Sequence, residues 1–141
     1  MNLALQSEDL KYVLAIEPKN SQAATINGND VDGRGFRSAS FLLATGIASG
    51  TPTAFSIAYK LQEKELSGDD YADVSGYSGT LAGASDAYEK AVLDVNLENR
   101  KRYTRMVAVL TFTGGSTPAI PLSCVAVLGN PYEIPVTQGT P

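Results

Sequence analysis

Apolar and polar residues alternate with a period of two through most of the chain, and clusters of turn-forming residues break the alternation at intervals of about ten residues. The first apolar run, Leu10 to Ile16, reads as a strand that Glu17-Pro18 brings to a stop. Ala23 to Asn27 predicts a second strand, leading into the turn cluster Gly28 to Gly33; its Asn27-Gly28 pair is one that tight hairpins favour. In Phe36 to Thr45, Ala39, Phe41 and Leu43 share one parity and Ser38, Ser40 and Leu42 the other, which predicts a central, mostly covered strand. The clearest alternation is Ala54 to Glu65, where Phe55, Ile57, Tyr59 and Leu61 mark the core face. A turn at Ser67 to Asp70 then leads into a short returning strand, Tyr71 to Val74.

Further along, Tyr77 to Ala84 contains Gly79 and Gly83 and reads as a loop, while Asp86 to Glu89 has the spacing of a capping box and predicts a short helix. Alternation resumes with a strand from about Val92. Tyr103 to Thr113 forms a second buried central strand, with Met106, Ala108, Leu110 and Phe112 on one parity. Gly114 to Pro118 interrupts it, and Ala119 to Leu128 supplies the last strand, Pro121 placing its start at an edge or a bulge. The pattern predicts an all-β fold: an antiparallel two-sheet β-sandwich, jelly-roll-like, of seven to eight strands. Residues 1–129 form the one expected domain, and the prolines at 131, 135 and 141 predict an extended C-terminal arm over residues 130–141.

Composition narrows the chemistry. The 141 residues include no histidine, no tryptophan and one cysteine, so a His-dependent triad, a Cys/His zinc site and a disulfide within one chain are all excluded. Cys124 lies in an apolar run and is expected to be buried as a small hydrophobe. Asn27 to Gly33 resembles a calcium loop only superficially. Counting from Asn27, Val31 takes the fifth position and Ser38 the twelfth, where oxygen ligands are required. Asp69, Asp70 and Asp73 read as a solvated turn, and Glu63 with Glu65 on one strand lacks the opposed geometry of a glycosidase. With no nucleophile motif and no phosphate loop, the expectation is a protein that is not an enzyme, with no cofactor and no metal.

Net charge is −4, the wrong sign for a protein that holds nucleic acid through phosphates. No apolar run reaches the length of a membrane span, and the first nine residues lack the features of an export signal. Neither nucleic acid nor membrane is expected as a partner. The charge is uneven: residues 1–98 carry 7 basic and 14 acidic side chains, residues 99–141 carry 4 and 1. Those four, Arg100, Lys101, Arg102 and Arg105, lie between two predicted strands and so at one rim, where a mixed-sign surface suits a protein contact.

Around this rim the chain resembles a known family. A turn ending in Arg102-Tyr103, a hydrophobic strand, a Gly-rich turn, a strand ending Ala126-Val-Leu-Gly129 and a closing Pro-x-x-x-Pro stretch are similar to small head-gene proteins of tailed bacteriophages. Asn29 to Phe36, Ser56 to Glu63 with its closing Leu-Gln-Glu, and Asp69 to Val74 fit the same pattern, so the resemblance covers about residues 20–137. The charged Asn99-Arg-Lys-Arg102 departs from it, since a small glycine-containing turn precedes Arg-Tyr in the family. The resemblance implies a capsid decoration, or cementing, protein. Such a protein is made in the host bacterial cytoplasm and sits on the outer surface of the virion. It bridges neighbouring major capsid protein subunits there as a homo-oligomer, a trimer being favoured. The candidate contacts are the rim, Arg100, Lys101, Arg102 and Arg105, and the arm residues Tyr132, Ile134 and Val136. A head-to-tail connector or tail component, and a carbohydrate-binding module, are the alternatives.

Overall fold

The computed structural model describes residues 9–133 and 136. The strands are β1 (Lys11–Gln22), β2 (Ala24–Asn27), β3 (Val31–Asp32), β4 (Phe36–Thr45), β5 (Ala54–Lys64), β6 (Ala72–Ala84), β7 (Lys90–Asn96), β8 (Tyr103–Thr113) and β9 (Ala119–Pro131), with a 3-10 turn at Leu97–Asn99. One sheet has the order β1-β9-β4-β7, the other β2-β8-β5-β6, with β3 also on β8. The pairs are nested and antiparallel: β1 with β9, β2 and β3 with β8, β4 with β7, β5 with β6. The chain is thus one long hairpin rolled over so that β9 also lies along β4 and β8 along β5, which is the jelly-roll order. Because β2 and β3 are two pieces of one interrupted strand along β8, eight strand positions are filled, within the predicted seven to eight.

The core lies between the sheets on the parities read from the sequence. Ala39, Phe41 and Leu43 of β4 and Cys124, Ala126 and Leu128 of β9 face Phe55, Ile57 and Leu61 of β5 and Met106, Ala108 and Leu110 of β8. Cys124 is fully enclosed, and burial pushes its thiol up to about 12.

Four local readings need correction. Pro18 does not end the first strand; β1 runs through it, because register shifts against β9 fall between Leu14 and Ile16 and between Ile16 and Lys19, and the missing N–H lies inside the second. Asn27-Gly28 is not a hairpin turn. Gly28 donates to the Met106 carbonyl at 2.8 Å and Asn29 to the Ala15 carbonyl at 2.7 Å, so Gly28-Asn29 ties the two sheets together. Tyr77 to Ala84 is strand, part of β6. Its glycines lie opposite aromatic partners, Gly79 across from Tyr59 and Gly83 across from Phe55, and a Cβ at Gly79 would collide with the Tyr59 ring. Asp86 to Glu89 is not a helix, since Glu89 is held to β4: its carbonyl accepts from the Thr45 N–H at 2.9 Å and its N–H donates to the Thr45 hydroxyl at 3.1 Å. β7 accordingly starts at Lys90, two residues before Val92.

Candidate functional site

At one end of the sandwich the 3-10 turn and the start of β8 bring the basic residues against acidic partners from earlier strands. Arg102 makes a bidentate pair with Asp32, Nε at 3.1 Å and Nη2 at 2.9 Å. Arg100 pairs with Glu63 at 3.6 Å and approaches the Tyr77 ring, while the Lys101 N–H donates to the same Glu63 at 3.0 Å. Arg105 donates to Gln62 at 2.8 Å and lies 4.1 Å from the centroid of the Tyr71 ring. The buried Lys64 approaches that same ring and pairs with Asp30, to which the Tyr71 hydroxyl donates. Burial and Asp30 raise the tyrosine's pKa, so its phenol remains a donor.

Two of the four rim cations are therefore neutralised within the chain, Arg100 by Glu63 and Arg102 by Asp32. Lys101 and Arg105 make no ion pair among the described residues, and Arg105 is held instead by the neutral Gln62 amide and the Tyr71 ring. Of the carboxylates that suggested a calcium loop, Asp32 is the partner of Arg102 and Asp30 that of Lys64. Asp73 is similarly held by Gln62 and Lys60, both of which lower its pKa, Gln62 the more. Among the described residues no group of His, Cys, Asp or Glu converges on a metal position, and no helix is long and apolar enough to cross a membrane.

The hydrogen bonds from Arg102 hold Asp32 below its ordinary value of 3.8. A depressed carboxylate stabilises the fold above its unfolded value, and that contribution disappears as pH falls through the folded value. Asp32→Asn is therefore expected to lower the melting temperature near pH 6 and to differ progressively less from the native chain as pH approaches about 2, measured by paired thermal melts.

The rim and the arm meet in one place. Arg100, Lys101, Arg102 and Tyr132 line the same open groove, and Tyr132 is fixed there by its N–H to the Gly35 carbonyl at 2.9 Å and by Arg37, whose guanidinium stacks 4.1 Å from the ring centroid. β9 extends to Pro131, so the first arm residues belong to the sheet. Val136 is half-buried, and Ile134 lies outside the described residues.

A second surface was not singled out in the sequence. On the outer face of the β1-β9-β4-β7 sheet, Leu14 lies opposite Val125, Val125 opposite Leu42 and Leu42 opposite Val92. The four aliphatic side chains form one row across all four strands, with Leu14 49% exposed, Leu42 38% and Val92 55%. Tyr12 and Val127 extend the row toward Ser40 and Asp94, which hydrogen-bond to each other. On the other side lie Ser123, Ala44 and Lys90. An aliphatic row has area to bury but no donors or acceptors with which to orient a small polar ligand.

No family model and no curated protein matches the chain. Among solved structures it is similar to one described as "CBM4 structure and function", at 11% identity and TM-score 0.49, covering 86% of this chain and 71% of that one. It is also similar to the Bacillus endospore appendage pilus protein, at 11% and 0.44 over 92% of this chain and 97% of that one. A third is Desmodium yellow mottle tymovirus, at 9% and 0.42 over 94% and 90%. No residue role is carried over from any of them.

Proposed function

We propose that this chain is a structural virion protein that binds the outside of a bacteriophage capsid and stabilises it by bridging neighbouring major capsid protein subunits, without catalysis. The observation that carries the reading is the exposed row Leu14, Val125, Leu42 and Val92 on a sheet face with no second layer over it among the described residues. Such a row offers a protein partner apolar area, and icosahedral repetition multiplies a modest gain per copy over the shell. The resemblance of residues 20–137 to phage head-gene proteins is what suggests the major capsid protein as that partner. Since Arg100, Arg102 and Arg105 are engaged within the chain, docking rests on apolar contact and is expected to survive raised salt.

The test is the ratio of this chain to the major capsid protein in purified particles, by quantitative mass spectrometry. A ratio of the same order as the shell subunit supports decoration. A count of about a dozen indicates a connector or tail component, by ring closure at one vertex, and absence from the particle overturns the reading. Leu14→Ser with Leu42→Ser is expected to weaken binding to bare capsids at least about tenfold while circular dichroism stays native, because each leucine forfeits part of its burial. Unchanged binding removes this face as the docking surface.

A further inference from the structure

The geometry points to a second copy of this chain as the partner of β7: two copies join edge to edge, antiparallel, about a two-fold axis at Val92. This inference stands whether or not the chain binds a capsid.

β7 ends its sheet, paired with β4 on one side and with no strand on the other among the described residues. The Thr45 N–H bond to the Glu89 carbonyl fixes the alternation of the β4–β7 ladder. Ala91, Leu93 and Val95 follow Glu89 in turning their backbone groups to β4, so Lys90, Val92, Asp94 and Asn96 turn theirs to the free edge. Exposed edges are normally blunted against pairing with another strand. The other edges of this sandwich are: β1 carries Pro18 and two register shifts, the β5–β6 ladder is broken between Lys60 and Gln62, and β2 and β3 are short pieces separated by Gly28 to Asp30. β7 has none of these devices, running from Lys90 to Asn96 in unbroken register with neither Gly nor Pro.

Its two charges select the occupant. With the axis at Val92, Val92 meets the partner's Val92, Lys90 meets the partner's Asp94, and Asp94 meets the partner's Lys90. All three are pairs whose backbone groups face the edge, so the ladder bonds and the charge pairs are made together. Moving the axis by one residue sets Val92 against Asp94 or Lys90, and moving it by two sets like charge against like. The edge is thus self-complementary in one register only, as an isologous contact requires. Such a contact closes at two copies, in place of the trimer that the family resemblance implies. It also joins the two outer faces, so that the row from Leu14 to Val92 continues from Val92 to Leu14 of the second copy.

Sedimentation of the full chain is expected to give twice the chain mass. Asp94→Lys and Lys90→Asp, each alone, set like charges opposite one another and should raise the dissociation constant at least about tenfold with native circular dichroism. Mixing the two variants restores complementarity, and an equimolar heterodimer is expected. Hydrogen exchange provides a readout without substitution: the Val92 and Asp94 amides should lose protection on dilution, while those of Ala91 and Leu93 keep it. A monomer, a trimer, an unweakened Asp94→Lys dimer, or variants that fail to pair when mixed would overturn the assignment.

Discussion

Phe41→Ala is expected to lower the unfolding free energy by about 3–5 kcal/mol, the largest effect of any single substitution considered, whereas Leu42→Ser beside it should cost less than about 1 kcal/mol. Phe41 is fully buried on β4, a strand flanked on both sides. Its cross-strand neighbours are Ala126 of β9 and Leu93 of β7. With alanine already on one side, truncation leaves a void that rigid neighbouring strands cannot collapse, so the cavity adds to the lost transfer energy. Leu42 points the other way, toward the open face, where serine opens no cavity. Denaturant unfolding of both variants, with unchanged m-values, checks the pair. Together with capsid binding it separates the two sides of one strand: position 41 holds the fold, and position 42 is available to a partner.

The same strand shows what the sequence makes legible. Alternation located the core face of β4, β5, β8 and β9 because each contributes to a single core and every second residue meets it. Edge strands followed different rules. β6 carries glycine where Tyr59 and Phe55 lie across from it, and a glycine that makes room for an aromatic on another strand looks locally like one that makes a turn. β1 passes through Pro18 because a bulge removes the need for its N–H, which only the register against β9 discloses. The basic rim was visible as a run of charge, but its partners Asp32 and Glu63 lie tens of residues away, and only folding pairs them. The apolar row had a faint local signal: Leu42 and Val92 sit on the wet parity of their strands, between Ser40 and Ala44 and between Lys90 and Asp94. That Leu14 and Val125 complete it is a property of register, which no single segment encodes.

Gly28→Ala is the second large effect, an expected loss of about 2–4 kcal/mol. The backbone there is not in the left-handed region, so conformational freedom is not what the position requires. It requires space. A Cβ would lie 2.6 Å from the carbonyl oxygen of Ala15 on one sheet and 2.6 Å from that of Met106 on the other. Neither oxygen belongs to a flexible side chain, so relief means separating the sheets or displacing the segment. Displacement strains the Gly28 bond to Met106 and the adjacent bonds of Asn29, from its N–H to Ala15 and from its side-chain amide to the Leu14 carbonyl at 3.0 Å. These bonds satisfy the carbonyl that the β1 bulge leaves unpaired, so their loss exposes a cost on both sheets. Gly68→Ala is the matched control, since its Cβ meets nothing within 4 Å in the β5–β6 turn. By restricting the unfolded chain it should be neutral or stabilising by a few tenths of a kcal/mol. If Gly28→Ala unfolds like Gly68→Ala, the Gly28-Asn29 segment is not the tie between the sheets.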